Sequence, residues 1–159
     1  MMANITDELF EKSRALQLDR PSDLSRLQKR MGTRNQNGSI EIYAYIDLSS
    51  TVDLLFQLEK AALNEDYELK TVIKIAVDWL EFIASRAVPC FQLEDLSGII
   101  QQVITELKAY DDRKKTADLL RATEHYVSQI RYWLDLEFPW PEVGSAYAAA
   151  KGDPPPNPV

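Results

Sequence analysis

The chain has 159 residues, of which 45% are apolar and 27% are charged, and its net charge at neutral pH is −7. This length supports one hydrophobic core, and the acidic balance argues against a DNA-coating protein or a polybasic membrane-binding protein. A single cysteine and a single histidine exclude an internal disulfide framework and the common zinc sites.

Two short helices are predicted in the N-terminal third of the chain. Thr6 is a candidate N-cap for the first helix, which carries Leu9, Phe10 and Leu16. The second helix begins near Ser22 and ends at Gly32, and its apolar residues Leu24, Leu27 and Met31 have helical spacing. We predict residues 1–38 as an N-terminal part, 39–138 as a helical core domain and 139–159 as a proline- and alanine-rich tail.

The basic segment, Arg20 to Arg34, differs in charge from the rest of the chain. From Arg20 to Gly38 there are five basic residues and one acidic residue, whereas residues 39–159 contain 11 basic and 20 acidic residues. Such a segment suits phosphate groups, and equally the acidic surface of the same bundle or of a second copy. The candidate nucleic-acid-binding residues are Arg20, Arg26, Lys29, Arg30 and Arg34.

Residues 40–48 alternate between apolar and polar side chains, a pattern typical of a β-strand. A single strand requires a partner for its backbone. The partner is either residues 33–36 or the same strand of a second copy, and the third alternative is that residues 40–48 are helical. Tyr43 and Tyr45 are candidate protein-binding residues on this segment.

Four long helices are predicted over residues 52–63, 65–88, 92–110 and 113–136, because each range has apolar residues three or four positions apart. Candidate N-caps are residues 49–51 for the first helix and Asp111 and Asp112 for the last, and Pro89 is expected to end the second helix. The fold class is therefore mainly α, a bundle of about four long helices. The helix over 65–88 is apolar on nearly all sides, so we expect a second copy or a partner protein to cover it.

Catalytic and metal-binding patterns are weak in this sequence. Glu65 and Glu68, and likewise Asp78 and Glu81, have the spacing of magnesium-binding pairs in all-α nucleotide pyrophosphohydrolases, but both pairs fall on one predicted helix, too far apart to share an ion. His125 is expected at the surface or its boundary, and Cys90 is expected as a buried structural thiol. We therefore expect no catalytic residue, metal or cofactor.

The C-terminal tail carries large apolar side chains beyond the last helix: Phe138, Trp140, Val143 and Tyr147. These residues suit either the chain's own bundle or a groove on another protein. The favoured function is a non-enzymatic protein-interaction module, such as an adaptor, assembly subunit or inhibitory partner, acting as a homodimer or in a complex. A nucleic-acid-associated protein and a magnesium-dependent nucleotide pyrophosphohydrolase are the alternatives. Since the sequence lacks a long apolar stretch and its N-terminus lacks the apolar region of a signal peptide, we expect a cytoplasmic protein.

Overall fold

Six α-helices make up almost all of the described structure. The computed structural model describes residues 4–18, 39–91 and 93–137. The helices are α1 (Ile5–Leu18), α2 (Ser39–Leu63), α3 (Leu69–Ser85), α4 (Ala87–Phe91), α5 (Glu94–Ala109) and α6 (Arg113–Glu137). The predicted mainly α fold with four long helices is confirmed, and the described ranges contain no strand. The second predicted N-terminal helix and the tail lie outside these ranges.

Helix α2 includes the segment for which a strand was predicted, so the strand prediction for residues 40–48 is wrong. Ala44 and Leu48 are buried four residues apart, and Leu55 continues the same face after seven more residues. The alternating pattern thus also contained the spacing of a helix. An α-helix satisfies its own backbone hydrogen bonds, whereas an isolated strand would have needed a partner.

The predicted N-caps at residues 49–51 are also wrong, because α2 begins ten residues earlier. The Thr51 hydroxyl instead donates a hydrogen bond of 2.7 Å to the Asp47 carbonyl oxygen, inside the helix. A buried threonine can satisfy its hydroxyl in this way on the preceding turn. These three polar residues therefore mark the middle of a helix rather than its start.

The break between α3 and α4 lies at Arg86, three residues before the expected end at Pro89. Proline has no N–H to donate to the carbonyl of Ser85, and its ring would clash with that carbonyl in a continuous helix. The chain therefore leaves the helix before Pro89 and restarts at Ala87. Pro89 then lies in the first turn of α4, where a missing N–H leaves no bond unmade.

Helix α1 and helix α6 begin at side-chain caps. Asn4 Oδ1 accepts a hydrogen bond from the Asp7 N–H at 2.9 Å, so the predicted cap at Thr6 is wrong by two residues. Asp112 Oδ1 accepts a hydrogen bond from the Lys115 N–H at 2.9 Å, which confirms one of the two predicted caps of α6. Both caps satisfy amide groups that have no partner within the helix.

Helices α2 and α6 form an antiparallel pair at the centre of the described structure. Tyr45, near the start of α2, contacts Asp135 near the end of α6, and Arg113 at the start of α6 contacts Ala62 near the end of α2. Helix α1 packs against α6, while α3 and α4 pack against α2, and α5 packs against α3. The core between them contains fully buried leucines and Phe91. Within the described ranges, no helix has both the length and the apolar composition needed to cross a membrane.

Candidate functional site

A groove lies between the second half of α2 and the first half of α3, and residues 64–68 close one end. We call it the α2–α3 groove. Its volume is about 560 Å³. Its apolar lining consists of Leu58, Ala61, Tyr67, Val72 and Ile75, and its polar lining consists of Gln57, Lys60, Asn64, Asp66, Glu68 and Thr71. The groove thus has an apolar centre with polar and charged edges, as peptide-binding grooves do.

The turn at the end of the groove is held in place by Arg113. Its guanidinium donates hydrogen bonds to the carbonyl oxygens of Ala62, Asn64 and Tyr67, at 3.1, 3.0 and 2.6 Å. The Asn64 side chain also accepts a hydrogen bond from the Asp66 N–H at 2.9 Å. These bonds fix the backbone that carries Tyr67, so the tyrosine is presented from an ordered turn.

Large apolar side chains are exposed in and beside the groove. The exposed fractions are 55% for Tyr67 and 38% for Ile75, and Phe56 and Leu63 on α2 are 44% and 52% exposed. Phe56, Lys60 and Leu63 are spaced i, i+4 and i+7, so they share one stripe of α2 that adjoins the groove. The Lys60 ammonium lies 4.2 Å from the centre of the Phe56 ring. Exposed apolar side chains therefore occur on α3, on the turn and on the neighbouring stripe of α2.

The acidic turn, formed by Glu65, Asp66 and Glu68, gives one edge of the groove a negative charge. All three side chains are exposed, and none forms an ion pair with another residue of the described ranges. Glu68 is also the N-cap residue of α3, but its side chain makes no capping hydrogen bond. Its carboxylate therefore faces solvent rather than serving the helix.

The structure places the two candidate tyrosines of α2 in different environments. Tyr43 is exposed on the outer surface of α2, about 27 Å along the helix from Ala61. Tyr45 is half-buried, and its hydroxyl donates a hydrogen bond of 3.3 Å to Asp135 on α6. Burial raises the pKa of the Tyr45 phenol, and the nearby Asp135 carboxylate raises it further. Tyr45 thus joins α2 to α6, and neither tyrosine lines the α2–α3 groove.

The other candidate binding residues lie outside the described ranges. This applies to the tail residues Phe138, Trp140, Val143 and Tyr147, and to the basic residues Arg20, Arg26, Lys29, Arg30 and Arg34. Their roles stay predictions.

The carboxylate pairs do not occupy one helix as predicted. Glu65 and Glu68 precede α3, so the prediction is wrong for this pair. Asp78 on α3 accepts a hydrogen bond of 3.0 Å from the Lys74 ammonium, and Glu81 is exposed. Across residues 4–18, 39–91 and 93–137, no group of three or more His, Cys, Asp or Glu side chains is arranged to hold a metal ion.

The single histidine and the single cysteine both lie near the protein surface. His125 is exposed, and its ring meets the Phe10 ring edge-on at 5.5 Å between centroids. Its Nε2 atom is 3.7 Å from the carboxylate of Glu124, and burial raises the pKa of that carboxyl although His125 opposes the rise. Cys90 on α4 is half-buried and packs against the hydrophobic core, so the expectation of a buried thiol is confirmed only in part.

Sequence patterns did not identify the groove. Phe56 was grouped with the apolar stripe of its helix, whereas the structure leaves it exposed. The only local signal was Tyr67, a large aromatic residue within a run of acidic residues. Comparison of the chain with protein-family models, with curated proteins and with solved structures gave no match.

Proposed function

We propose that this chain is a non-enzymatic protein-interaction module that docks a segment of another polypeptide in the α2–α3 groove. One observation carries this proposal. The described part of the chain has seven exposed large apolar side chains, and four of them lie between Phe56 and Ile75. Two of these four, Tyr67 and Ile75, line the groove itself, and exposed apolar side chains at a groove are typical of protein-binding sites.

The energetics support docking at this surface. Tyr67, Ile75 and Leu63 are 55%, 38% and 52% exposed, so docking would bury about half of each residue. Since full burial of one large apolar side chain gains about 1.5–3 kcal/mol, each would contribute roughly half of that gain, and together they would offset part of the cost of association. Tyr67 belongs to the residue types that dominate binding energies at interfaces. Because Arg113 already orders the turn, little entropy is lost there when a partner binds.

A quantitative pull-down with matched variants tests the proposal. The groove variant carries Tyr67→Ala and Ile75→Ala, and the control carries Tyr132→Ala and Leu18→Ala, which remove two exposed side chains far from the groove. We expect the control to capture the same protein as the wild type, and the groove variant to capture at least about tenfold less. Circular dichroism and thermal melting should show that both variants are folded.

Reconstitution with the purified captured protein must reproduce the difference between the variants. Equal binding by the groove variant and the control would contradict the proposal. Magnesium-dependent hydrolysis of a nucleoside triphosphate by the purified chain, lost on Glu68→Gln, would contradict the non-enzymatic function and favour the pyrophosphohydrolase alternative.

A further inference from the structure

The chemistry of the α2–α3 groove restricts what it binds. Its apolar centre requires apolar anchors spaced to fit between two helices, and the acidic turn requires basic residues beside those anchors. Lys60 is the only basic residue that lines the described groove, and it already lies over the Phe56 ring. The best-matched ligand is therefore a basic amphipathic segment.

The chain itself contains a segment with this chemistry. In the basic segment, Leu24, Leu27 and Met31 are spaced i, i+3 and i+7, as on one face of a helix. Basic residues occupy the positions between and after them: Arg26, Lys29, Arg30 and Arg34. The apolar residues match the centre of the groove, and the basic residues match the acidic turn.

We infer that the α2–α3 groove binds the basic segment, residues 20–34, of a second copy of this chain. The inference rests on the proposed function, because it requires the groove to be a docking site for polypeptide. It adds the identity of the segment that occupies the groove, and it implies that the protein forms a dimer.

The position of α1 favours a second copy over docking within one molecule. The end of α1 lies level with Tyr45, since Gln17 and Tyr45 line the same cleft, and Ala61 is about 24 Å farther along α2. Moreover, α1 lies against α6, whereas the groove borders α3. The end of α1, from which the chain continues into the basic segment, therefore lies away from the groove both along α2 and in the helix that it packs against, which favours the groove of a second copy.

In a two-fold dimer, both grooves and both basic segments can be occupied. Each copy has one groove and one basic segment, so a two-fold axis pairs each segment with the groove of the other copy. Once the first contact has formed, the second is intramolecular and benefits from a high effective concentration. Because opposite charges meet at a solvent-exposed edge, the dimer should weaken as salt is added.

Charge-reversal variants of the full chain test this inference by sedimentation. The first variant reverses the acidic turn with Glu65→Lys, Asp66→Lys and Glu68→Lys. The second reverses the basic segment with Arg26→Glu, Lys29→Glu and Arg30→Glu. We expect a wild-type dimer, at least about a tenfold increase in the dimer dissociation constant for each variant alone, and a heterodimer when the two variants are mixed. The mixture restores opposite charges at both contacts.

The control variant carries Glu8→Lys, Glu11→Lys and Glu81→Lys, three exposed positions that do not line the groove, and it should dimerise like the wild type. A monomeric wild type at high micromolar concentration would overturn the inference. A mixture of the two folded charge-reversal variants that stays monomeric would also overturn it. Nucleic acid that co-purifies with the wild type and is lost only in the basic-segment variant would instead assign that segment to nucleic acid.

This experiment can fail without the proposed function failing. Suppose that the wild type is monomeric but captures another protein, and that the Tyr67→Ala and Ile75→Ala variant no longer captures it. The groove would then remain a docking site, and only its assignment to a second copy would be wrong. If that variant both dimerises and captures the partner protein as the wild type does, the inference and the proposed function are both overturned.

Discussion

The two sides of α2 differ in how completely they are covered. Towards α6, the helix is closed at both ends, by the Tyr45 hydroxyl bonded to Asp135 and by Arg113 bonded to the carbonyl of Ala62. Towards α3, the second half of the helix leaves a groove of about 560 Å³ with Tyr67 and neighbouring apolar side chains exposed. One helix thus has a closed side and an open side.

This difference separates stability from binding. Side chains on the buried face of α2 hold the bundle together, so changing them should lower the free energy of unfolding. Side chains at the open side contribute little to folding because they remain largely in water. Substitutions on the same helix should therefore have very different effects on stability, according to the side that they affect.

The largest effect is expected for Leu55→Ala, on the buried face of α2. Leu55 is fully buried, so truncation should lower the free energy of unfolding by about 2–5 kcal/mol. The control is Leu63→Ala, the same substitution two turns later, where the side chain is 52% exposed and the loss should stay below about 1 kcal/mol. Urea denaturation measures both values. Equal losses would show that the open side is also part of the core.

A smaller effect is expected for Arg113→Ala at the end of the closed side. The substitution removes three hydrogen bonds to backbone carbonyls, and we expect the free energy of unfolding to fall by about 1–3 kcal/mol. Lys114→Ala removes only an exposed ion pair with Asp118 and should cost less than about 0.5 kcal/mol. Arg113→Lys should recover only part of this loss of stability, since an ammonium group lacks the planar arrangement of N–H donors of a guanidinium. Full recovery would contradict the role of that geometry.

The smallest effect concerns Glu124, which lies on α6 near Glu59 of α2. Burial is the main reason that its pKa is raised, and Glu59 raises it further while His125 opposes the rise. The folded state therefore binds this proton more tightly than the unfolded state does. Ionised Glu124 reduces stability above its folded pKa, and this cost disappears as the pH falls below the ordinary glutamate range.

We expect Glu124→Gln to be more stable than the wild type at pH 7, by on the order of 0.5 kcal/mol because the carboxyl is partly solvated. The difference should vanish below about pH 4, where the wild-type carboxyl is protonated. Denaturation at the two pH values measures this change, and Glu81→Gln on the exposed surface controls for loss of one negative charge. An advantage that persists unchanged at low pH would contradict the assigned cause.

Local sequence patterns were sufficient to predict most of the long helices. The presence of α3 and the ranges of α5 and α6 follow from apolar residues three or four positions apart, and the Asp112 cap of α6 follows from the preference of aspartate for that position. These predictions succeed because periodicity and capping depend on residues within one or two turns. The errors arise where two local patterns compete. At residues 40–48, alternation of apolar and polar residues competes with helical spacing. At Pro89, the tendency of proline to end a helix competes with its suitability for the first turn of a new one.

Local sequence patterns were not sufficient to predict the candidate site. The periodic pattern grouped Phe56 with the buried residues of its helix, and no pattern distinguished Tyr67 or Ile75 as part of a groove. Exposure at these positions depends on how far α3 lies from α2, which follows from the packing of both helices on the rest of the bundle and from the bonds of Arg113 to the turn.

By itself, the sequence determined that this chain is helical, because apolar spacing and capping act between residues close along the chain. It also determined the opposite charges of the basic segment and of residues 39–159. Only the tertiary structure decided which apolar side chains remain in water, because burial depends on residues brought together from distant parts of the chain. The exposed surface beside Tyr67 exists for that reason: α2 is packed closely along α6 and incompletely along α3.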